Sequence, residues 1–104
     1  MLKNEPVPVN INSEYVSRCV AYRYVNIVSV SVAVIKTQGN TDKVVLASGL
    51  PSPETDFIKS LITPSGNFYR YRLDENGVLH EHWIQAFDPS NGNAIEFQFT
   101  YICK

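Results

Sequence analysis

The sequence predicts an all-β fold: an antiparallel β-sandwich, jelly-roll-like, with seven to eight strands in a single domain. Three features carry that expectation. Short runs rich in Val, Ile, Tyr and Phe recur between Gly-, Pro- and Asn-bearing breaks, and several alternate apolar with polar residues. No stretch has the 3.6-residue period of an amphipathic helix. In the run from Val44 to Phe57, VVLASGLPSPETDF, a short apolar strand stops at Ser48-Gly49 and meets Pro51 and Pro53. Each proline removes a backbone donor and fixes its own φ, so this corner is neither helix nor central strand, and the chain turns over a sheet edge.

Taken in order, residues 1–14 read as an extended lead-in or neck and residues 15–104 as the sandwich head. Pro6 and Pro8 interrupt the lead-in, while the alternation of Val7, Val9 and Ile11 gives it the option of an edge strand. Strands are then expected over Tyr15–Tyr24, Val25–Ile35, Lys43–Ala47, Phe57–Ile62, Asn67–Leu73, Val78–Gln85 and Ala94–Cys103. Between them lie the Pro corner and turn signals at Gly39-Asn40, Pro64-Ser65-Gly66, Asp74 to Gly77 and Asp88 to Asn93. That spacing of short strands is the pattern of a sandwich or jelly roll. In the last strand Ile95, Phe97, Phe99 and Tyr101 share one side and Glu96, Gln98 and Thr100 the other, so it is half buried. In the second, Val28, Val30, Val32 and Val34 oppose Ser29, Ser31 and Ala33. This small, uncharged row suits either close approach of a neighbouring subunit or an overlying loop.

Asp74-Glu75-Asn76-Gly77 has Asp at the start of a type I turn and Gly where a left-handed residue completes a three-residue hairpin loop. With Asp74 opposite Val78, the register pairs Leu73 with Leu79, Arg72 with His80, Tyr71 with Glu81, Arg70 with His82 and Tyr69 with Trp83. Arg70, Arg72, His80 and His82 then gather on the outer face. A one-residue slip would instead group Arg70, Arg72, Glu81 and Trp83. The first register separates apolar from polar better and is preferred; it obliges Glu81 to find the Tyr71 hydroxyl or an edge position. Two arginines with two histidines able to take a proton, gathered on one face, suit phosphate or carboxylate of a polysaccharide or teichoic acid. The alternative is a solvated face balanced by carboxylates such as Glu96 or Asp74.

His80-x-His82 also has the spacing of two metal ligands, but a third ligand is wanting and the neighbouring arginines repel a dication, so neither metal nor other cofactor is expected. There is no Gly-x-Ser-x-Gly elbow, no phosphate loop and no Cys with a His in evident reach. Glu54 and Asp56 read as a solvated acidic loop rather than a glycosidase pair. No enzyme is expected.

A chain of 104 residues buries about two-thirds of its unfolded surface. Charged residues make up 18%, against roughly 25% for an average soluble protein, while six Tyr, five Phe and one Trp are present. Such a shortage of charge points to covered surface, most simply between copies of the chain. A net charge of −1 gives no support for nucleic-acid binding. No apolar run is long enough to span a bilayer, and MLKNEPVPVN lacks the apolar core of a signal peptide, so synthesis in the cytoplasm is expected. Cys19 and Cys103 are too few for a disulfide scaffold and read as reduced core residues.

With a preceding Asn26–Val32 strand and following Gly-punctuated hairpins, the corner Ala47-Ser48-Gly49-Leu50-Pro51 resembles the C-terminal receptor-binding heads of bacteriophage tail fibres and related virion appendages. That resemblance implies a homotrimer at a fibre tip, joined to other fibre or baseplate proteins and binding host surface glycan. The alternative within the same class is a trimerising cap without host contact. No binding residue of that class carries over to this sequence.

Overall fold

The computed structural model describes residues 4–37, 44–62, 66, 68–84 and 95–104. Within them the strands are β1 (Glu5–Val7), β2 (Asn10–Ile11), β3 (Val16–Tyr24), β4 (Ile27–Val34), β5 (Val45–Ser48), β6 (Phe57–Ile62), β7 (Phe68–Leu73), β8 (Leu79–Ile84) and β9 (Ile95–Ile102). They form two antiparallel sheets, ordered β1-β3-β4-β9 and β2-β5-β8-β7-β6. The predicted sandwich is therefore the fold. The expected turns at Gly39-Asn40, Pro64-Ser65 and Asp88 to Asn93 lie outside the described residues.

Residues ahead of Tyr15 contribute an edge strand to each sheet. Glu5–Val7 pairs with Ala21–Arg23 and Asn10–Ile11 with Ala47–Ser48. Pro8, which cannot donate to a ladder, sits at the crossing between the sheets. The later pairings are nested, β4 with β9, β5 with β8 and β6 with β7. That nesting is the jelly-roll element of the topology. Consecutive β7 and β8 also share a sheet, so β5-β8-β7-β6 is a Greek key closed by the long β5–β6 connection.

The long connection is the Pro corner. Backbone groups along it pair with neighbouring elements, as a buried backbone must. Leu50 N–H donates to Gly77 C=O (3.2 Å), Glu54 N–H to Ile102 C=O (3.3 Å), and Lys104 N–H to Ser52 C=O (2.9 Å). Pro53 bridges to Cys103, and the Tyr101 hydroxyl donates to Pro51 C=O at 2.7 Å. The corner thus straps the end of one sheet to the last strand of the other.

Between the sheets, Val28, Val30, Val32 and Val34 pack with Leu46, Leu73 and Leu79, all at or below 2% exposed. Each such side chain contributes about 1.5–3 kcal/mol by leaving water. The other half of the core is aromatic, with Phe97, Phe99 and Tyr101 of β9 set against Tyr69 and Tyr71 of β7 and Phe57 of β6. Cys19 and Cys103 are both free, and burial pushes the Cys19 thiol up to about 11.

One turn carries no sequence signal. β3 and β4 are joined by Val25-Asn26 alone, with Tyr24 opposite Ile27 and Val25 at φ 57°. A β-branched residue is strained in that left-handed region by about 1–2 kcal/mol. The Arg23 guanidinium anchors the turn by donating to Val25 C=O at 2.7 Å. Val25→Asn, which keeps a turn-compatible side chain at this exposed position, is expected to raise stability by about 1 kcal/mol. A urea midpoint that stays put or falls would show that the strain is relieved elsewhere.

Candidate binding faces

The Asp74–Gly77 hairpin forms as read. Asp74 N–H donates to Val78 C=O (3.0 Å) and Gly77 N–H to Asp74 C=O (3.1 Å). Gly77 is at φ 77°, and Asp74 Oδ1 accepts from the N–H groups of Asn76 (2.9 Å) and Val78 (3.0 Å). The first three pairs hold: Leu73 with Leu79, Arg72 with His80 and Tyr71 with Glu81.

Beyond them the expected register fails. The ladder shifts between Arg70 and Tyr71, so that Arg70 pairs with Trp83 and Tyr69 with Ile84. His82 is the extra residue of a β-bulge rather than the partner of Arg70, and Trp83 is not opposite Tyr69. A bulge inserts one unpaired residue and bends its strand, an outcome that alternation alone does not encode. Half-buried His82 has its Nδ1 enclosed without a hydrogen-bond partner among the described residues. Glu81 is fully buried on the inner face, as the register required. Its neighbour there is Tyr69: burial first, then the Glu81 charge, raises the Tyr69 hydroxyl far above its ordinary value.

The four expected ligand residues are therefore only partly united. Arg72 and His80 are cross-strand neighbours, Arg70 is exposed one step along β7, and His82 is set apart by the bulge. Among the described residues His80 and Arg72 meet carboxylates of the chain. His80 Nε2 is 2.8 Å from Asp74 Oδ2, and Arg72 Nη1 is 3.7 Å from Asp56 Oδ2. Of the two carboxylates anticipated as balance, Asp74 is in place, whereas Glu96 lies on the other sheet and takes no part. Exposed Ile58 and Val45 border the same row, opposite Arg72 and His80. Among the described residues no three His, Cys, Asp or Glu side chains are grouped to hold a metal ion.

Asp74 shows how the local charges settle. Burial pushes its carboxyl upward, but hydrogen bonds from His80, Val78 and Asn76 outweigh this and hold it below the ordinary 3.8. A carboxyl lowered by folding stabilises the fold fully above pH 3.8, and that contribution is lost as pH falls through its lower folded value. Asp74→Ala, which removes all three acceptor roles, is expected to cost about 2–3 kcal/mol at neutral pH. The variant's denaturation midpoint should also lose the acid-side slope expected of the native chain; an unchanged slope would assign it to other carboxylates.

The second face is the outer side of the four-stranded sheet. Its cross-strand rows are Arg18-Ala33-Glu96, Val20-Ser31-Gln98, Tyr22-Ser29-Thr100 and Tyr24-Ile27-Ile102. Ser29 and Ser31 of β4 thus form the floor of a trough, about 210 Å³, walled by Val20 and Tyr22 on one side and Gln98 and Thr100 on the other. Ser29 is exposed, Ser31 half buried and Ala33 buried. Tyr22 (47%), Ile27 (44%) and Ile102 (52%) stand open to water. Charge appears only in the Arg18 and Glu96 row.

The fold and these two faces define a small two-sheet sandwich with one mixed cationic face and one nearly uncharged face. No protein-family model, curated protein or solved structure matches the chain.

Proposed function

We propose that this chain is an attachment and assembly module of the virion-fibre type. It associates with copies of itself through the outer face of the four-stranded sheet, and it meets anionic host polysaccharide or teichoic acid with Arg70 and Arg72 on the other. The observation that carries the reading is the uncharged face: a solvent-facing side of three strands where Arg18 and Glu96 are the only charges on the paired rows. Solvated sheet faces ordinarily carry more charge, and an open apolar patch rimmed by polar groups marks an interaction surface. The resemblance of the Ala47–Pro51 corner and the strand order supplies the virion setting.

A second reading, a structural cap without host contact, is favoured by the carboxylates that Asp56 and Asp74 place against Arg72 and His80. The two separate on one variant. With Arg70 and Arg72 both changed to Ser, binding to immobilised teichoic acid or acidic polysaccharide should fall about tenfold or more while self-association persists. Binding by the native chain should weaken as salt rises, since exposed arginine contacts are screened. Adsorption indifferent to both changes would leave only the cap.

A further inference from the structure

We infer that the uncharged face binds a second copy of this chain about a two-fold axis running parallel to β3 and β4, with Tyr22 of each copy seated in the trough of the other. This rests on the self-association reading and gives it an axis and a number, two copies in place of the three that the resemblance implies.

The argument begins with the rows. Arg18 and Glu96 occupy the same row, on β3 and β9, with Ala33 of β4 between them. They are therefore two strand spacings apart, on the order of 10 Å, and neither joins an ion pair among the described residues. At the opposite end of the face the row is Tyr24-Ile27-Ile102, wholly apolar or aromatic and exposed. Two identical sheets can meet face to face about an in-plane two-fold that runs either along the strands or across them. An axis across the strands lays each charged row on the partner's apolar row, which strips Arg18 and Glu96 of water with nothing to receive them. An axis along the strands keeps charged row against charged row and exchanges left for right, so Arg18 of one copy approaches Glu96 of the other. The charges thus select the second arrangement and supply two equivalent ion pairs, as an isologous contact requires.

Packing fixes where that axis lies. If it ran directly over β4, the two troughs would face each other and enclose a void. Displaced by half a strand, to lie between β3 and β4, it drops the Tyr22 ridge of each copy onto the Ser29 and Ser31 floor of its partner. Arg18 then lies within one strand spacing, about 5 Å laterally, of the partner's Glu96, well inside the reach of an arginine. The small side chains of β4 are what make room for the ring. Strained Val25, 58% exposed, stands at the apolar end of the same face. The sheet offers roughly 400 Å² per copy in projection, since three strands are about 14 Å wide and eight residues about 26 Å long. The two copies together thus cover at most about 800 Å² in projection, short of the roughly 1,000 Å² of a stable specific complex, so their association is weak and concentration-dependent.

Sedimentation equilibrium on the full chain, from nanomolar to millimolar, tests this. A monomer–dimer equilibrium is expected. Arg18→Glu and Glu96→Arg should each weaken dimerisation about tenfold or more, and the two together should restore it to within about threefold of the native chain. Ser29→Arg, which fills the exposed trough without touching the core, should abolish it, with circular dichroism confirming that each variant is folded. Association that ignores the charge reversals and the filled trough, or that stops at three chains, overturns the two-fold geometry and leaves self-association standing. A native chain that remains a single subunit throughout defeats both.

Discussion

Gly77→Ala is expected to destabilise the sandwich by about 2–5 kcal/mol, a large part of the roughly 5–15 kcal/mol available to a domain of this size. Two separate costs combine. Gly77 sits at φ 77°, where any residue with a Cβ is strained by about 1–2 kcal/mol. A Cβ at this buried position would also press into the backbone of the Pro corner, colliding with Leu50 O and lying 2.9 Å from Leu50 C. The obstacle is main chain, fixed in place by the Leu50 N–H to Gly77 C=O bond, so it has no rotamer with which to yield, and overpacking of that kind costs about 1–3 kcal/mol. Gly66 supplies the control: at φ 88° with nothing within 4 Å, its alanine variant should lose only the conformational share, about 1–2 kcal/mol. Urea unfolding at unchanged slope gives both values. Equal losses at the two positions would show that the corner and the hairpin are not locked together.

That contact also marks where the sequence stops being legible. The corner from Ser48 to Pro53 and the loop from Asp74 to Gly77 are each readable alone, because proline and left-handed glycine impose local geometry whatever surrounds them. Their docking on each other links residues 27 apart in sequence and leaves no local trace. Alternation likewise placed Val28 to Val34 and Ile95 to Tyr101 on inner faces, and Leu73, Tyr71, Leu79 and Glu81 too. It could not foresee the bulge at His82, which is set by how β8 must bend to meet both β5 and β7, the ladder being irregular against both. Nor did it mark the two-residue turn at Val25-Asn26, since neither residue announces the backbone it adopts. For the binding faces the pattern is the same. The uncharged Ser29-Ser31-Ala33 row was visible as a row, but its walls come from β3 and β9, strands more than 60 residues apart in the chain. The carboxylate beside Arg72 comes from Asp56, on the segment entering β6, whereas Asp74 beside His80 lay within the hairpin itself.

Phe97→Ala should cost about 3–5 kcal/mol, a loss as large as any expected from truncating one core side chain. The two sheets are joined by few backbone hydrogen bonds away from their ends, so cohesion depends on what the inner faces bury. On the β9 side that is an aromatic ladder, Phe97-Phe99-Tyr101, in which Phe97 makes the closest ring contact across the sheets. Its ring lies 4.2 Å from that of Tyr71 in a stacked arrangement and 5.9 Å from Tyr69, with Phe99 at 6.2 Å on its own strand. Deleting it removes buried area, breaks aromatic pairs worth about 0.5–1.5 kcal/mol beyond that area, and leaves a hole walled by rings too rigid to collapse into it. Phe97→Leu, which keeps most of the volume, should cost only about 1–2 kcal/mol. A Phe97→Ala loss no larger than the leucine value would mean that Tyr69 and Tyr71 close over the gap. The same strand points Glu96 and Gln98 outward, so the truncation should leave dimerisation of the folded fraction unchanged. Stability and association are thereby assigned to opposite faces of β9, and Phe97→Ala should move the first without the second, whereas Glu96→Arg should do the reverse.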